Sequence, residues 1–399
     1  MILGGTHSKP APSRSLVGIL LGAGLLLSIA TIAACSRTLK STATPVPPPT
    51  PTSWPRPQLD TPEYGMQVFA WWSSDDIVKR DLKLVADAGF GWIKQNLGWR
   101  DVEKFEGLDP QDWDWALGDR VVDYAEELGL KVLFRIDHQP LWANHHNNGP
   151  PENLDDFGHF CGALAAHYKG KVSAYQVWNE PNLAREWARR QPNPAEYVEL
   201  LKTCYTAIKA ADPQAIVISA GLAPTGTDNE EAMPDDKFLR GMYDAGAAPY
   251  FDLLGLHAPG YKAPPELSPD EAAANPEYGG QRAFAFRHVE DMRAIMEEYG
   301  DGEKQIAIVE FGWTSDPREA STYHWHAVSE EEKADYLVRA FDYARENWSP
   351  WVGLMVVVYL ADPTWTPDHE QYWWAITDPS PEAQLRPAYE ALRDMEKNP

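Results

Sequence analysis

The segment Trp115–Arg135, WALGDRVVDYAEELGLKVLFR, contains one complete helix-to-strand unit. Apolar residues recur in its first part at the spacing of an amphipathic helix, and Gly129 follows Leu128 where a helix-ending glycine is expected. The short β-rich run Lys131–Arg135 then predicts a buried strand. A helix that leads directly into a strand is the repeating unit of parallel α/β folds, so this segment indicates the fold class.

The same alternation begins at Tyr64 and continues to the end of the chain. Eight units over about 330 residues predict an α/β fold, a single (β/α)8 TIM barrel with loop insertions. A doubly wound open sheet is the alternative, but no Gly-rich phosphate loop follows the first predicted strand, where that fold usually has one. The predicted strands are Gly65–Ala70, Gly91–Asn96, Lys131–Arg135, Ala174–Trp178, Ala215–Ser219, Phe251–Leu256, Gln305–Val309 and Gly353–Tyr359.

The first 62 residues have a different composition from the rest. Lys9 and Arg14 precede an apolar run that ends in Ile32-Ala33-Ala34-Cys35, the arrangement of an export signal. Its last four residues resemble the bacterial lipoprotein box, which implies lipid attachment at Cys35. A single N-terminal transmembrane anchor is the alternative. In both cases the body of the protein is expected outside the cytoplasm.

Three segments are therefore expected. Residues 1–35 form a lipoprotein-type signal segment, residues 36–62 form a disordered Pro/Thr-rich linker, and residues 63–399 form the catalytic barrel. The linker would hold the barrel away from the membrane, which the protein meets through its lipid anchor.

The overall charge excludes some classes of partner. The chain has 399 residues, of which 59 are acidic and 35 are basic, so its formal net charge is −24. Nucleic acids and anionic membrane surfaces require clustered Lys and Arg, and we expect neither as a direct partner. The 17 Trp and 17 Tyr exceed what core packing needs, and aromatic faces stack on flat, amphipathic ligands. We expect a monomer.

Two glutamates end predicted strands. Glu180 lies in Val177–Asn182 at the end of the fourth strand, and Glu310 lies in Ile308–Trp313 at the end of the seventh. In a barrel, chemistry belongs at the carboxyl ends of the strands. Glycoside hydrolysis needs such a pair, one carboxyl to protonate the leaving oxygen and the other to attack or to activate water. A buried salt bridge is the structural alternative for each glutamate.

The two motifs carry a family resemblance. Trp-Asn-Glu-Pro, followed about 130 residues later by Glu-Phe-Gly-Trp, resembles the retaining β-glycosidases of glycoside hydrolase clan A. Within that clan the chain is most similar to family 39 and to related exopolysaccharide glycosidases. The resemblance extends from Tyr64 to about Leu392 and includes Gly91–Lys94 and Arg386–Tyr389.

The resemblance implies a role for each residue of the pair. Glu180 would be the general acid/base, Glu310 the nucleophile, and Asn179 would bond the sugar 2-hydroxyl. Glu310 must stay ionised to attack, whereas Glu180 must be protonated near neutrality, which predicts a raised pKa for Glu180. For retention we predict carboxyl groups about 5–5.5 Å apart.

Three positions depart from the pattern of the relatives. A His-x-Tyr pair often follows their sixth strand, but here Tyr261 is displaced to four residues after His257. Tyr359 stands where many relatives have a tryptophan, and Lys94 stands where many have an arginine. A lysine replaces a two-pronged donor with a point charge, which alters how the site is ordered.

Further substrate contacts are predicted from side chains that follow strand ends. Tryptophans there are expected to stack on sugar rings, with core packing as the alternative for any one of them. His138 is expected to bond the substrate or a neighbour of the nucleophile, with an ordinary loop histidine as the alternative. The predicted substrate-binding residues are Asn179, His257, His138, Trp99, Trp142, Lys94, Tyr261, Trp313 and Trp365.

Histidines and cysteines suggest no cofactor. His145-His146 and His324-Trp325-His326 lack the spacing of a helical zinc site, so we expect exposed loop histidines, and neither a metal nor a cofactor. Cys161 and Cys204 lie on neighbouring predicted helices. An exported protein permits a disulfide between them, but two buried thiols are equally compatible with the sequence.

The sequence thus predicts a lipid-anchored, retaining glycosidase that cleaves β-glycosidic bonds of a polysaccharide or oligosaccharide by double displacement, in an endo-acting cleft. A catalytically inactive carbohydrate-binding lipoprotein on the same barrel is the alternative from another class. A metal-dependent hydrolase is a third hypothesis, and it requires activity that disappears with a chelator.

Overall fold

The computed structural model describes Trp54 and residues 56–60, 62–380 and 382–397, within the compact unit Ser53–Pro399. The predicted signal segment, Cys35 and most of the predicted linker lie outside the described residues. Among the helices of the described part, none is both long and apolar enough to cross a membrane.

Eight parallel strands form one sheet in the order β5-β4-β3-β2-β1-β8-β7-β6. Isolated parallel bridges from Ile218 to Leu253 and from Leu222 to Leu256 join β5 to β6, so the sheet closes into a (β/α)8 barrel. All eight predicted strands are confirmed. The strands are β1 Glu63–Val68, β2 Trp92–Gly98, β3 Lys131–Asp137, β4 Ala174–Val177, β5 Ile216–Ile218, β6 Leu254–Pro259, β7 Ile306–Gly312 and β8 Val352–Val357.

Helices surround the strands and begin and end at residues suited to those positions. Asn193 accepts hydrogen bonds from backbone N–H groups of the first turn of α5, and Ser329 forms a reciprocal capping box with Glu332 at the start of α9. Gly129 follows α3 with a φ of +69°, which glycine adopts without strain. The helices are α1 Asp75–Asp87, α2 Trp99–Val102, α3 Ala116–Glu127, α4 Leu154–His167, α5 Pro194–Ala211, α6 Asp235–Asp244, α7 Pro269–Ala274, α8 Val289–Glu298, α9 Glu330–Asn347, α10 Glu370–Trp374 and α11 Pro387–Asp394.

The core has two layers. A smaller cluster fills the interior of the barrel, where Trp92, Leu133 and Val309 are among the buried members. A larger cluster lies between the strands and the outer helices. Both layers are apolar, and they leave the carboxyl ends of the strands to carry polar side chains.

A disulfide joins two neighbouring outer helices. Cys161 on α4 and Cys204 on α5 are bonded, with their Cα atoms 5.4 Å apart. The sequence left this pairing open, because it could not bring the two Cα atoms within bonding range. Strand β4 lies between α4 and α5 in the chain, so the bond links the two helices that flank this strand in sequence.

Candidate active site

A cleft of about 460 Å³ opens at the carboxyl ends of strands β4, β6, β7 and β8. Five of the predicted site residues contribute to its walls, together with the tyrosine that stands where many relatives have a tryptophan. These are Asn179, Glu180, His257, Tyr261, Glu310 and Tyr359.

Glu180 reaches the cleft through an unusual backbone path. It follows β4 directly, and both Trp178 and Glu180 have positive φ values, +73° and +41°. Such left-handed conformations in bulky residues persist where the surrounding structure enforces them, and they cluster at functional sites. The N–H of Glu180 donates to the carbonyl oxygen of Gly221, which fixes this turn against the segment after β5.

An irregularity in strand β6 brings a histidine beside the second glutamate. The pairing of β6 with β7 shifts between Leu256 and His257, which places His257 opposite Glu310. Nδ1 of His257 lies 3.0 Å from Oε1 of Glu180, and Nε2 lies 3.8 Å from Oε1 of Glu310. One imidazole therefore stands between the two carboxylates that the sequence paired.

Two buried cations hold Glu310. Nζ of Lys94 lies 2.7 Å from Oε1 of Glu310, and Nη1 of Arg135 lies 3.4 Å from the same oxygen. Burial by itself raises the pKa of Glu310, but His257, Lys94 and Arg135 outweigh it and lower the pKa to about 2. Glu310 is thus ionised at neutral pH, as a nucleophile must be.

Lys94 does not line the cleft, although the sequence predicts that it binds substrate. Its side chain is fully buried, and burial lowers its pKa to about 8. Nζ also donates to the carbonyl oxygen of Val309. Lys94 therefore orients Glu310 from beneath the cleft.

The electrostatics of Glu180 also differ from the prediction. Burial raises its pKa, but the hydrogen bond and charge of His257, followed by the charge of Arg185, outweigh burial and lower it. Nη2 of Arg185 lies 2.6 Å from Oε2 of Glu180. The expected raised pKa is therefore wrong for the protein without substrate, because His257 and Arg185 both contact this carboxylate.

Asn179 is placed to receive a ligand. Its side chain lines the cleft, and its buried Oδ1 has no hydrogen-bond partner within the described part of the chain. The next asparagine of the motif behaves differently, because Asn182 is fully buried and bonds to the backbone of Ala223 and Met233.

Two predicted stacking tryptophans belong to the core, a correction. Trp99 is fully buried against Phe160 and donates its Nε1 proton to Glu103. Trp313 is also fully buried, and its Nε1 donates to the carbonyl oxygen of Ala263. The local sequence does not predict which helices and loops cover these side chains.

The other two predicted tryptophans are half-buried and do not line the cleft. Trp142 packs edge-on against Trp99. Trp365 packs edge-on against Tyr359 and Phe69, behind the cleft wall. Tyr359 and Trp374 are the aromatic residues after β8 that line the cleft, a choice that the sequence left open.

Tyr261 lines the cleft without holding the nucleophile. Its hydroxyl donates to the carbonyl oxygen of Pro224, 2.9 Å away, and its backbone φ is +51°. Because Tyr261 comes four residues after His257, its hydroxyl does not contact Glu310. Lys94 and Arg135 bond Glu310 instead.

Several residues of the site were missed from the sequence. Arg135 lies on β3, and its buried charge could have been suspected because it interrupts an apolar strand. Arg185 lies in a short 3-10 turn after Glu180, and only its nearness to Glu180 in the sequence could have indicated its role. His326 was expected to be exposed, but it is 3% exposed, and burial lowers its pKa to about 4.

The remaining histidine predictions divide. His145, His146 and His324 are exposed, as expected. His138 has Nδ1 2.5 Å from Oδ1 of Asp137 and does not contact either glutamate. In the described ranges, no group of three or more His, Cys, Asp or Glu side chains is arranged to hold a metal ion.

A second depression of about 200 Å³ lies at the ends of β1, β2 and β3. His138 and Asn96 contribute polar groups to its lining. Trp72, which is 74% exposed, contributes an aromatic ring. Phe69 of this depression packs edge-on against Tyr359 of the cleft, so these two rings lie between the hollows.

Comparison with known proteins agrees with this geometry. The model of the cellulase family, glycosyl hydrolase family 5, matches residues 56–246, which include strands β1 to β5 and Glu180. The matched part is just under half of the chain, and over it the chain is similar to this family of glycoside hydrolases.

Solved structures of low sequence identity share the architecture of this barrel. A family 39 glycoside hydrolase from Bacteroides cellulosilyticus is 20% identical with a TM-score of 0.59, over 83% of this chain and 62% of that one. A glucosidase from Croceicoccus marinus is 16% identical with a TM-score of 0.58, over 78% and 62%. Xylanase 10B from Thermotoga maritima is 17% identical with a TM-score of 0.52, over 83% and 93%.

The chain spans less than two thirds of the length of the first two of these proteins. At such identities the three likenesses show the fold alone.

Proposed function

We propose that the protein hydrolyses β-glycosidic bonds by double displacement, with Glu310 as nucleophile and Glu180 as general acid/base. The observation that carries the proposal is the position of His257 between two carboxylates that end opposite strands of the barrel. The roles follow from the charges around each carboxylate: Glu310 contacts two buried cations, whereas Glu180 contacts an exposed one.

In the first step Glu310 attacks the anomeric carbon while Glu180 gives its proton to the departing oxygen. The glycosyl–enzyme bond removes the charge of Glu310. Glu180, now ionised, takes a proton from water, and that water cleaves the glycosyl ester with a second inversion. Asn179 would bond the sugar beside the reacting carbon, since its unpartnered Oδ1 can accept a hydroxyl proton.

The retained stereochemistry gives the first test. Proton NMR of the initial product from a β-glycoside should detect the β-anomer before mutarotation. With the Glu180→Ala variant, an activated aryl glycoside and azide should give a β-glycosyl azide. An α-anomer as first product would overturn the double displacement, and the predicted separation of about 5–5.5 Å with it.

We infer that the substrate is an extended chain, cleaved internally. The second depression supports this, because exposed Trp72 offers a stacking surface near the cleft for a distal sugar. Trp72→Ala should lower kcat/KM for a polysaccharide more than for a short aryl glycoside. The control is Phe105→Ala, which removes a similarly exposed ring outside both hollows. Equal losses on both substrates would contradict endo action.

A carbohydrate-binding protein without turnover is the second candidate. The unpartnered oxygen of Asn179 and the exposed aromatic ring of Trp72 would serve a binder equally well. Product analysis on β-glucans, xylans, mannans and bacterial exopolysaccharides, with Glu310→Gln as the matched variant, separates the two. Products from the parent alone identify the hydrolase, whereas glycan binding by both without products identifies the binder.

Family 39 remains the narrower proposal within the clan. It is supported by the motifs quoted above and by the likeness to a structure described as a family 39 glycoside hydrolase. The product analysis on the four classes of polysaccharide would determine the sugar specificity.

We also propose a location outside the cytoplasm, with a lipid anchor at Cys35. The Cys161–Cys204 bond supports an oxidising compartment, where disulfides persist. Cys35→Ala should move the protein from the membrane fraction to the soluble fraction. Retention of the variant in the membrane would favour a transmembrane anchor. We expect the barrel to act as a monomer.

A further inference from the structure

Both oxygens of Glu180 are occupied in the protein without substrate. Oε1 contacts Nδ1 of His257 at 3.0 Å, and Oε2 accepts a hydrogen bond from Nη2 of Arg185 at 2.6 Å. A general acid needs one oxygen free to carry a proton and to approach the departing oxygen of the substrate. One of the two partners must therefore leave before the reaction begins.

The two partners differ in how firmly they are held. The side chain of His257 is 4% exposed, and its backbone N–H donates to the carbonyl oxygen of Leu222 in the barrel wall. Arg185 lies in the short turn Ala184–Glu186 at the edge of the cleft, and its side chain is 64% exposed. Long exposed side chains change rotamer readily, so Arg185 is the partner that can move.

We propose that Arg185 is a positioning residue that covers Glu180 at rest and is displaced by the sugar on the leaving-group side of the scissile bond. This inference rests on the proposed function, because it concerns the acid step of that reaction. Its consequence is that substrate binding itself converts Glu180 into an acid.

The proton balance of this displacement is simple. When the guanidinium leaves, the carboxylate keeps its contact with His257, which favours the charged form, and its burial and proximity to Glu310, which favour the neutral form; loss of the Arg185 charge therefore raises its pKa. Glu180 then takes one proton from solvent, passes it to the departing oxygen, and regains one from the attacking water. No other reactant is required.

The cleft offers new partners for the displaced guanidinium. Nε of Arg185 already lies 3.5 Å from Oε1 of Glu186, and Glu370 lies in the wall of the same cleft. Burial raises the pKa of Glu370, and the charge of Arg185 opposes this rise, so the two groups already interact. A rotation toward these carboxylates leaves the cation paired.

Other ionisable groups around Glu180 stay in place in this proposal. They belong to different elements of the barrel, and their charges form a constant background to the movement of Arg185. They are His257, Glu310, Arg135, Glu186, Tyr261, Tyr323 and Tyr359.

The pH dependence of turnover tests the proposal. The basic limb of kcat/KM reports the free enzyme, and the basic limb of kcat reports the substrate complex. Because Arg185 lowers the pKa of Glu180 only before binding, the limb of kcat/KM should lie at lower pH than the limb of kcat. Arg185→Met should move the limb of kcat/KM to higher pH and close the gap.

Arg190→Met is the matched control, because Arg190 is exposed on the same segment and pairs with Glu196 instead. It should keep the gap of the parent. Coincident limbs in the parent, or an unchanged gap in Arg185→Met, would overturn the proposal. A purely structural role of Arg185 would change activity at every pH without moving the limbs.

A second measurement does not depend on turnover. The carboxyl carbon of Glu180 can be titrated by NMR in protein labelled at glutamate, with Glu180→Gln as the assignment reference. The pKa of Glu180 should rise in Arg185→Met and stay unchanged in Arg190→Met. An unchanged pKa in Arg185→Met would overturn the inference, while a rise without any hydrolysis in the parent would leave the pairing intact and refute the proposed function.

Discussion

Nζ of Lys94 lies 2.7 Å from Oε1 of Glu310, at the end of a lysine side chain that is fully buried. A lysine in the barrel interior is costly unless it is paired, and here its partner is the carboxylate assigned to the nucleophilic attack. The ion pair therefore serves the site more than the stability of the fold, and its removal should be visible in the pH profile.

Lys94→Met keeps the approximate volume and removes the charge. A charge-assisted hydrogen bond contributes about 1.5–3 kcal/mol, so we expect roughly a 10- to 100-fold loss of kcat/KM. The pKa of Glu310 should rise, which moves the acid limb of the pH–rate profile to higher pH. Lys131→Met is the control, because Lys131 pairs with Glu63 at the far end of the strands. An unmoved acid limb would contradict the role of Lys94.

Two asparagines of one motif should give opposite results. Asn179→Ala removes an oxygen that awaits a ligand and should lower kcat/KM with little change in the free energy of unfolding. Asn182→Ala leaves buried backbone groups of Ala223 and Met233 without partners, which costs about 1–3 kcal/mol of stability. Denaturant unfolding and steady-state kinetics on both variants check the contrast. A destabilised Asn179→Ala with normal kinetics would disprove the assignment.

The disulfide should contribute measurably to stability. Cys161 and Cys204 are 43 residues apart, and closing a loop of that length stabilises the fold by about 4 kcal/mol in the chain-entropy model. The double variant Cys161→Ala/Cys204→Ala should therefore unfold at a clearly lower denaturant concentration. Adding a reductant should destabilise the parent and leave the variant unaffected. Equal midpoints would argue against a bond in the folded protein.

A buried histidine should make stability depend on alkaline pH. Burial lowers the pKa of His288, but Asp235 and Asp291 outweigh burial and raise it to about 10. Because the folded pKa exceeds the unfolded value of about 6.5, the stabilisation is complete below that pH and is lost as the pH rises through about 10. The difference in unfolding free energy between the parent and His288→Gln should shrink between pH 6 and pH 10. A constant difference would refute the charged pairing.

The barrel and the two glutamates were predictable because their signals are local. Each strand is a short apolar run, and Glu180 and Glu310 interrupt such runs at their carboxyl ends, where barrels carry chemistry. Asn179 and His257 followed from the same rule. The positions of these residues follow from the hydrophobic pattern of single strands, and that pattern can be read from one sequence.

The rest depended on contacts between distant elements. Trp99 and Trp313 follow strand ends as sugar-stacking residues would, yet neighbouring helices bury them. The lowered pKa of Glu180 arises because β6 places His257 against the carboxylate and a turn brings Arg185 back over it, and no pattern in the sequence fixes either contact. His326 was missed because its burial depends on four aromatic side chains around it, Tyr261, Tyr323, Trp325 and Trp374.

Closure of the barrel between β5 and β6 rests on a three-residue strand and isolated bridges. This seam runs between Glu180, tied to Gly221 on one side, and His257 on the other. Since short, sparsely bonded junctions open at lower free energy than long strands, the imidazole and its carboxylate should part before the rest of the barrel unfolds. Mild denaturant should then abolish the proposed hydrolytic activity reversibly while most of the fold is still intact.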